Sequence, residues 1–476
     1  MSGSTKRGPR QVIGGLRRLV EETPPQRERW VDLLRALAIV LVVVGHWLAT
    51  AVHYDEDGLG GRHVLEVLPW AHGLSWLFQV MPVFFLVGGF ANAASLSASR
   101  ARGVHWRDWL AGRADRLLRP TTAFLVVIAM SAVVARALGG DEELIGTAVW
   151  LATLPLWFLA VYFAVVVLTP AMHLLHRRWG LAVPVVLAVV VGAGDIARLG
   201  FDLPYGGSAN FLLMWLAVHQ VGFAWQDGRL PARWTVALPL AVAGFGCLVL
   251  LTAGPYPVSM VAAPGAQVQN TNPPTVALLS LAVAQTGLVL LLRDRGDRWL
   301  QRTRPWIAVV AVNTVILTMF LWHMTAVVVA AAALYPTGIF PQPPVGTAHW
   351  VLSRLPWLAC LTVVLACLVM LFGWIEWRAR TRSSRGPAGV DKDRRPTAPQ
   401  PTCTALTIAG LAGVQVGLAG ITLAGPGHHG PAALSTGALL AYLAGAVTLS
   451  LIQRRCLSET TPAEQRKAGR RSAETP

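Results

Sequence analysis

Long apolar runs separated by short polar loops set the pattern of this chain. Runs of a length that crosses a hydrocarbon core of ~30 Å begin near Val31, Gly73, Leu117, Gly146, Leu181, Ala209, Thr235, Thr275, Ile307, Val351, Thr404 and Ala432. The pattern predicts an all-α, polytopic transmembrane bundle of about twelve spans. Ten of them form a core and the last two form a C-terminal hairpin.

The loops carry a second, independent signal. Residues 1–30 hold seven Lys and Arg, and the next loop, around Asp55, Glu56 and Asp57, holds one arginine. Six arginines lie between Arg100 and Arg119, and an acidic loop at Asp141–Glu143 follows. Basic and non-basic loops go on alternating: Arg177 and Arg178, a sparse 195–202, Arg229 and Arg233, an uncharged 254–274, then five arginines from Arg293 to Arg304. Next come an uncharged 335–349 and a basic stretch from Arg378 to Arg395. Cytoplasmic loops are enriched in Lys and Arg, so the alternation predicts a multi-pass plasma-membrane protein with both termini in the cytoplasm. The first apolar stretch is too long for a signal h-region and lacks a small-residue cleavage site, so it is read as a retained span.

Composition agrees. Of the 476 residues 54% are hydrophobic and 13% charged, against about 25% charged in soluble domains, and the mean hydropathy is +0.52. A net charge of +16 in a soluble protein would suggest nucleic acid. Here the arginines sit between spans and set orientation, so the lipid bilayer is the expected partner and nucleic acid is not. Cys247, Cys360, Cys367, Cys403 and Cys456 show no paired spacing and imply neither a disulfide framework nor a metal site. The expected organisation is a basic segment 1–30, a ten-helix domain 31–377, a disordered Arg/Pro-rich linker 378–403, a hairpin 404–454 and a cytoplasmic tail 455–476. His428 and His429 fall in the hairpin's Gly/Pro turn and read as a solvated loop.

Two ionisable residues in the first span carry the chemistry. Arg35 and His46 are eleven residues apart, which on an α-helix is about 20° in projection and roughly 16 Å of rise. A cation near one surface and a deeper imidazole thus face the same way. Ionisable side chains in hydrocarbon usually face a bundle interior or a wet cavity, although an arginine can also snorkel to the headgroups. Asp32, one turn before Arg35, can pair with it or complement the helix N-terminus. His323, in Phe320-Leu-Trp322-His323, falls at a depth comparable to His46, which suggests a shared polar cavity that Asn210, Trp215 and His219 could also line. Arg113 and Arg116, before the third span, can share a helix face, and guanidinium pairs suit phosphate. Basic residues at that helix end also serve topology. The second span holds Met81, Pro82, Phe84, Phe85, Gly88, Gly89 and Phe90, flanked by Gln79 and Asn92, either of which could bridge helices. The fourth holds Trp157 and Phe158.

In this order the fragments resemble the integral-membrane acyltransferase 3 family, over roughly residues 28–380. The resemblance rests on Asp32, Arg35 and His46, on Pro82-x-Phe84-Phe85-x-x-Gly88-Gly89-Phe90, on Arg113-x-x-Arg116-Leu117, on Leu156-Trp157-Phe158-Leu159 and on Phe320-Leu321-Trp322-His323. Gly88 stands where the family has serine, and Pro120, displaced by Arg119, replaces a proline pair. The resemblance implies an O-acyltransferase. Its co-substrate would be acyl-CoA, with acetyl-CoA first, and no cofactor would be permanently bound. The acyl group would pass to a hydroxyl of a carbohydrate, lipid-linked or metabolite acceptor. Arg35, Arg113 and Arg116 would meet donor phosphates, and His46 would act as general base or acyl carrier, with His323 catalytic beside it. Asp32, Gln79 and Trp157 would support them. The rival functions are a transporter relaying protons through the same histidines and a non-catalytic membrane component. The lack of an evident internal repeat counts against a carrier.

Overall fold

The computed structural model describes residues 27–55, 58–262, 265–384, 401–425 and 430–458. Most of the expected segment 1–30, most of the linker 378–403, His428, His429 and nearly all of the tail 455–476 lie outside these residues. The described chain is helical apart from one short hairpin of strands, and ten of its helical stretches are long and apolar enough to cross a membrane. It divides into two compact units, Met1–Ser95 with Leu168–Gly373, and Leu96–Val167 with Trp374–Pro476.

In the first unit α1 (Arg29–Ala49) buries Trp30, Leu34, Ala38, Ile39 and Val42 at helical spacing. It runs directly into β1 (Thr50–Asp55), which pairs antiparallel with β2 (Gly58–His63) so that Thr50 faces His63. A short helix α2 (Val64–Val67), a 3-10 turn (Pro69–Leu74) and α3 (Ser75–Phe78) lead into α4 (Met81–Ala101). In sequence between the first unit's two segments come α5 (Trp106–Ala137), α6 (Glu142–Thr153) and, running on into the second of them, α7 (Leu156–Trp179). Then follow α8 (Ala182–Asp195) with a π-helical turn to Gly200, α9 (Asn210–Gln226), α10 (Trp234–Thr252), α11 (Val276–Leu300), α12 (Thr303–Thr314) and α13 (Ile316–Leu334). The last helices are α14 (Ala348–Ser384), α15 (Pro401–Leu423) and α16 (Thr436–Ser458).

All twelve expected spans are helical, with two kinds of difference from the reading of apolar runs. The runs from Gly146 and Ile307 each divide into two helices, at Leu154–Pro155 and at Val315. Pro155 has no N–H to continue a helix. At the second break Thr314 Oγ1 bonds back to Val310 O at 2.7 Å, and Asn313 Nδ2 donates to Val309 O and, at 2.8 Å, to Asp32 O of α1. Side chains of this kind compete with the helical ladder. The run at Ala209 gives a helix of 17 residues, Asn210–Gln226, and the run at Ala432 has a shorter apolar part, Thr436–Ile452; neither is among the ten longer spans.

α1 packs against α11, α12 and α13. Trp30 Nε1 donates to Val289 O at 3.1 Å near one end, and Trp47 Nε1 to His323 O at 2.9 Å near the other. α4 and α9 meet where Gly89 and Gly222 face each other. A Cβ on Gly89 would strike the carbonyl oxygen of His219, and one on Gly222 would lie 2.7 Å from Phe90 N. Small residues permit such close approach in membranes. The uncharged 254–274 loop is tied inward: Asn270 Nδ2 donates to Pro257 O and Ser259 O, and Trp76 Nε1 to Val258 O.

In the second unit the hairpin α15–α16 closes through glycines; a Cβ on Gly417 would meet Tyr442 N at 2.5 Å, and one on Gly445 would meet Gly410 O at 2.6 Å. The hairpin is seated on α5. Tyr442 Oη lies 2.9 Å from Thr122 Oγ1 and 3.3 Å from Leu118 O; Arg107 Nη1 donates to Thr404 Oγ1 and Arg136 Nη1 to Gly430 O, both at 2.5 Å.

Candidate active site

His46 and His323 come together. His323 Nε2 lies 3.3 Å from His46 Nδ1, with ring centroids 5.1 Å apart and planes inclined by 47°. His46 Nδ1 also lies 2.9 Å from Val42 O, one turn back on α1, and His323 Nδ1 lies 2.6 Å from Phe320 O. His323 is fully buried, whereas His46 keeps partial exposure.

These contacts assign the protons of the neutral pair. A carbonyl oxygen only accepts, so each Nδ1 facing one carries the hydrogen, and each Nε2 then holds a lone pair. His46 Nδ1–H is shared between Val42 O and the Nε2 of His323. His46 Nε2 is left as a basic lone pair with no hydrogen-bond partner among the described residues. An imidazole whose far nitrogen is held by an acceptor and whose near nitrogen is open is arranged to take a proton or to attack a carbonyl.

The surroundings fix both rings. Trp47, next to His46, donates its indole N–H to the backbone of His323. Gly45, on the other side of His46, has Phe78 of α3 packed on it, 3.2 Å from where a Cβ would stand. Thr50 doubles the end of α1, its N–H and its Oγ1 (2.9 Å) both donating to His46 O.

At the opposite end of α1, Asp32 is buried between two guanidiniums. Its Oδ2 lies 2.6 Å from Arg27 Nε and its Oδ1 3.7 Å from Arg35 Nη1. Arg293 bridges Glu28 at 3.1 Å and Asp297 at 3.8 Å, and Arg27 and Arg29 stand over the Trp306 ring. Arg35 therefore belongs to an ion-pair cluster.

The other expected residues divide by unit. Gln79 is buried and works as a strut: Nε2 donates to Met260 O at 2.7 Å, and its backbone carbonyl accepts from Gln285 Nε2 at 2.8 Å. His219 pairs with Asn92 at 3.1 Å across the α4–α9 contact, and Trp215 stacks on Phe85. Asn210 bonds Val191 O and Asp195. These contacts of Gln79, Asn92, Asn210, Trp215 and His219 do not involve His46 or His323. In the second unit Arg113 lies over the Trp109 ring at 5.4 Å, one turn from Arg116 along α5, while Arg119 is taken by Asp115 at 2.8 Å. Trp157 stands edge-on to Phe158.

Outside the spans, burial pushes the His63 imidazole below its ordinary value, partly offset by Glu66 and reinforced by His72. Burial raises the Tyr256 phenol, helped by Asp195, whose Oδ2 accepts its hydroxyl at 3.1 Å.

Sequence reasoning passed over Arg354. It is the only Asp, Glu, Lys or Arg between residues 348 and 375, a signal of the kind that marks intramembrane charge.

A membrane enzyme and a membrane carrier are both compatible with a multi-span helical protein in which two imidazoles meet. Comparison with known families decides between them. Residues 28–377 match the acyltransferase domain of the acyltransferase 3 family, and the chain belongs to that family. It is a multi-pass membrane acyltransferase. Neither a curated protein nor a solved structure gives a match.

Proposed function

We propose that the protein moves an acyl group, acetyl first, from acyl-CoA to a hydroxyl of a carbohydrate, lipid-linked or metabolite acceptor, with His46 as general base. The observation that carries this reading is the open Nε2 of His46, set by the bonds of its Nδ1 to Val42 O and His323. Nε2 takes the proton of the acceptor hydroxyl as its oxygen attacks the thioester carbonyl. The tetrahedral intermediate collapses with cleavage of the C–S bond, and the imidazolium returns the proton to the departing thiolate. His323 holds the ring and accepts its Nδ1–H while the charge exists, which stabilises the imidazolium.

The donor role is assigned by chemistry. Acyl-CoA carries several phosphates, which guanidinium groups bind through paired, charge-assisted hydrogen bonds. Arg35, and on the second unit Arg113 and Arg116, are the candidates. The alternation of basic loops supports a plasma-membrane protein with cytoplasmic termini and donor entry from the cytoplasm.

Purified full-length protein, offered acetyl-CoA with and without carbohydrate hydroxyl acceptors, tests the reading through thiol release and acetyl-ester formation. The expected result is turnover abolished in His46→Ala. Undiminished turnover in that variant rules out the assigned base, and a wild-type protein inert toward acetyl-CoA and longer acyl-CoA rules out the donor class. Acyl-enzyme trapped at His46 would replace the base with an acyl carrier.

A further inference from the structure

We propose that Arg354 is a positioning residue for the His46–His323 pair, acting through Trp47; this rests on the assignment of His46 as base. Arg354, near the start of α14, is 93% buried, and among the described residues no carboxylate lies within ion-pair distance of it. A guanidinium desolvated without a counter-ion is costly, so its compensation is informative. Its Nη2 donates to Trp47 O and, at 3.0 Å, to Thr50 O, and its guanidinium stands over the Trp350 ring at 5.0 Å. The last carbonyls of a helix lack intrahelical partners and form the negative end of its dipole, which favours a cation there. Arg354 thus closes the C-terminal end of α1 one residue beyond His46.

Trp47 makes that closure bear on the pair. Its carbonyl is held by Arg354 and its indole N–H by the carbonyl of His323. One residue therefore ties the end of the helix bearing His46 to the helix bearing His323, at the level where the imidazoles meet at 3.3 Å. Releasing Trp47 O lets α1 shift against α13, and a displacement of about 1 Å can cost about a hundredfold in rate.

The test uses the full chain in detergent, with acetyl-CoA turnover and 15N-histidine NMR read in parallel. Arg354→Gln is expected to lower kcat by roughly ten- to a hundredfold, with KM for acetyl-CoA unchanged and with the Nδ1–H signals of His46 and His323 lost or exchange-broadened. Arg354→Lys, which keeps a cation able to reach a carbonyl, recovers part of both. Trp47→Phe, which removes the indole N–H and keeps an aromatic ring, reproduces the loss, and the double variant costs no more than the worse single one. Survival of both Nδ1–H signals in Arg354→Gln overturns the proposal whether or not turnover is observed. Should Arg354→Gln fail to fold, unchanged signals and kcat in Trp47→Phe overturn it equally. His46→Ala separates the two levels. If it retains turnover, the base assignment fails; if it is inactive while Arg354→Gln and Trp47→Phe are unimpaired, only the positioning role fails.

Discussion

His323 accepts at Nε2 the proton that His46 carries on Nδ1, across 3.3 Å, while its own Nδ1 is spent on Phe320 O at 2.6 Å. The two rings are therefore not equivalent. One presents an open nitrogen, and the other has both nitrogens engaged inside a fully buried site.

Unequal losses follow on substitution. His46→Ala is expected to lower turnover by about 10²–10⁴, the range of a positioned general base. His323→Gln, whose amide oxygen can accept from His46 Nδ1–H, should retain more activity than His323→Ala, which leaves Val42 O as that proton's acceptor. Thiol release from acetyl-CoA orders the three variants; equal activity in the two His323 variants would count against the acceptor role.

Gly89 is expected to tolerate no side chain. A Cβ there meets the backbone of His219, which cannot move aside as a side-chain tip would. Gly89→Ala should destabilise the protein by about 1–3 kcal/mol, the cost of overpacking. Gly246→Ala on α10, with nothing within 4 Å of the new methyl, should be close to neutral. Thermal unfolding of the two variants in one detergent makes the comparison.

Tyr442→Phe removes the hydroxyl that meets Thr122 Oγ1 and Leu118 O. A loss of about 0.5–1.5 kcal/mol is expected for this hydrogen bonding, read as faster proteolysis of the α15–α16 hairpin with unchanged spectra elsewhere. No change in cleavage rate would show that the hydroxyl does not help to seat the hairpin, leaving the bonds of Arg107 and Arg136 to do so.

His63 should make the strand hairpin sensitive to acid. Its folded-state value lies below the ordinary one because burial disfavours the charged form, with Glu66 opposing and His72 adding to the shift. Between the two values the unfolded segment binds more protons than the folded one, so stability falls as pH drops through the ordinary histidine range of about 6.5. It is fully present above that range and levels off below the folded-state value. The protection factors of the Thr50–Asp55 amides, which correct for the intrinsic slowing of base-catalysed exchange, should therefore fall from pH 7 to pH 5 in the parent protein and far less in His63→Asn.

The spans were legible because hydrocarbon imposes length and apolarity on every segment that crosses it. Their interruptions were harder to see. The break at Val315 falls in a run of unchanged hydropathy, where Asn313 and Thr314 bond back to carbonyls one turn earlier, and such bonds leave no mark on periodicity. Of the adjacent Gly88 and Gly89, only the partner helix identifies Gly89 as a contact with α9. His46 and His323 stood out as ionisable groups in apolar runs, whereas the orientation of their rings by Val42 O and Phe320 O depends on carbonyls that every residue has. Arg354 carried the same signal as the histidines. It lies near the end of a span beside an uncharged loop, where an arginine reads as one that snorkels to the headgroups.

The hairpin's seat on α5 has a practical consequence for anyone shortening this protein. A chain ended between residues 385 and 400 would keep the whole family match yet strip Arg107 and Arg136 of Thr404 Oγ1 and Gly430 O. One flank of the arginine-bearing helix would then meet lipid or solvent in place of its docked neighbour. Truncation at the family boundary would trade a tidy fragment for an exposed seam.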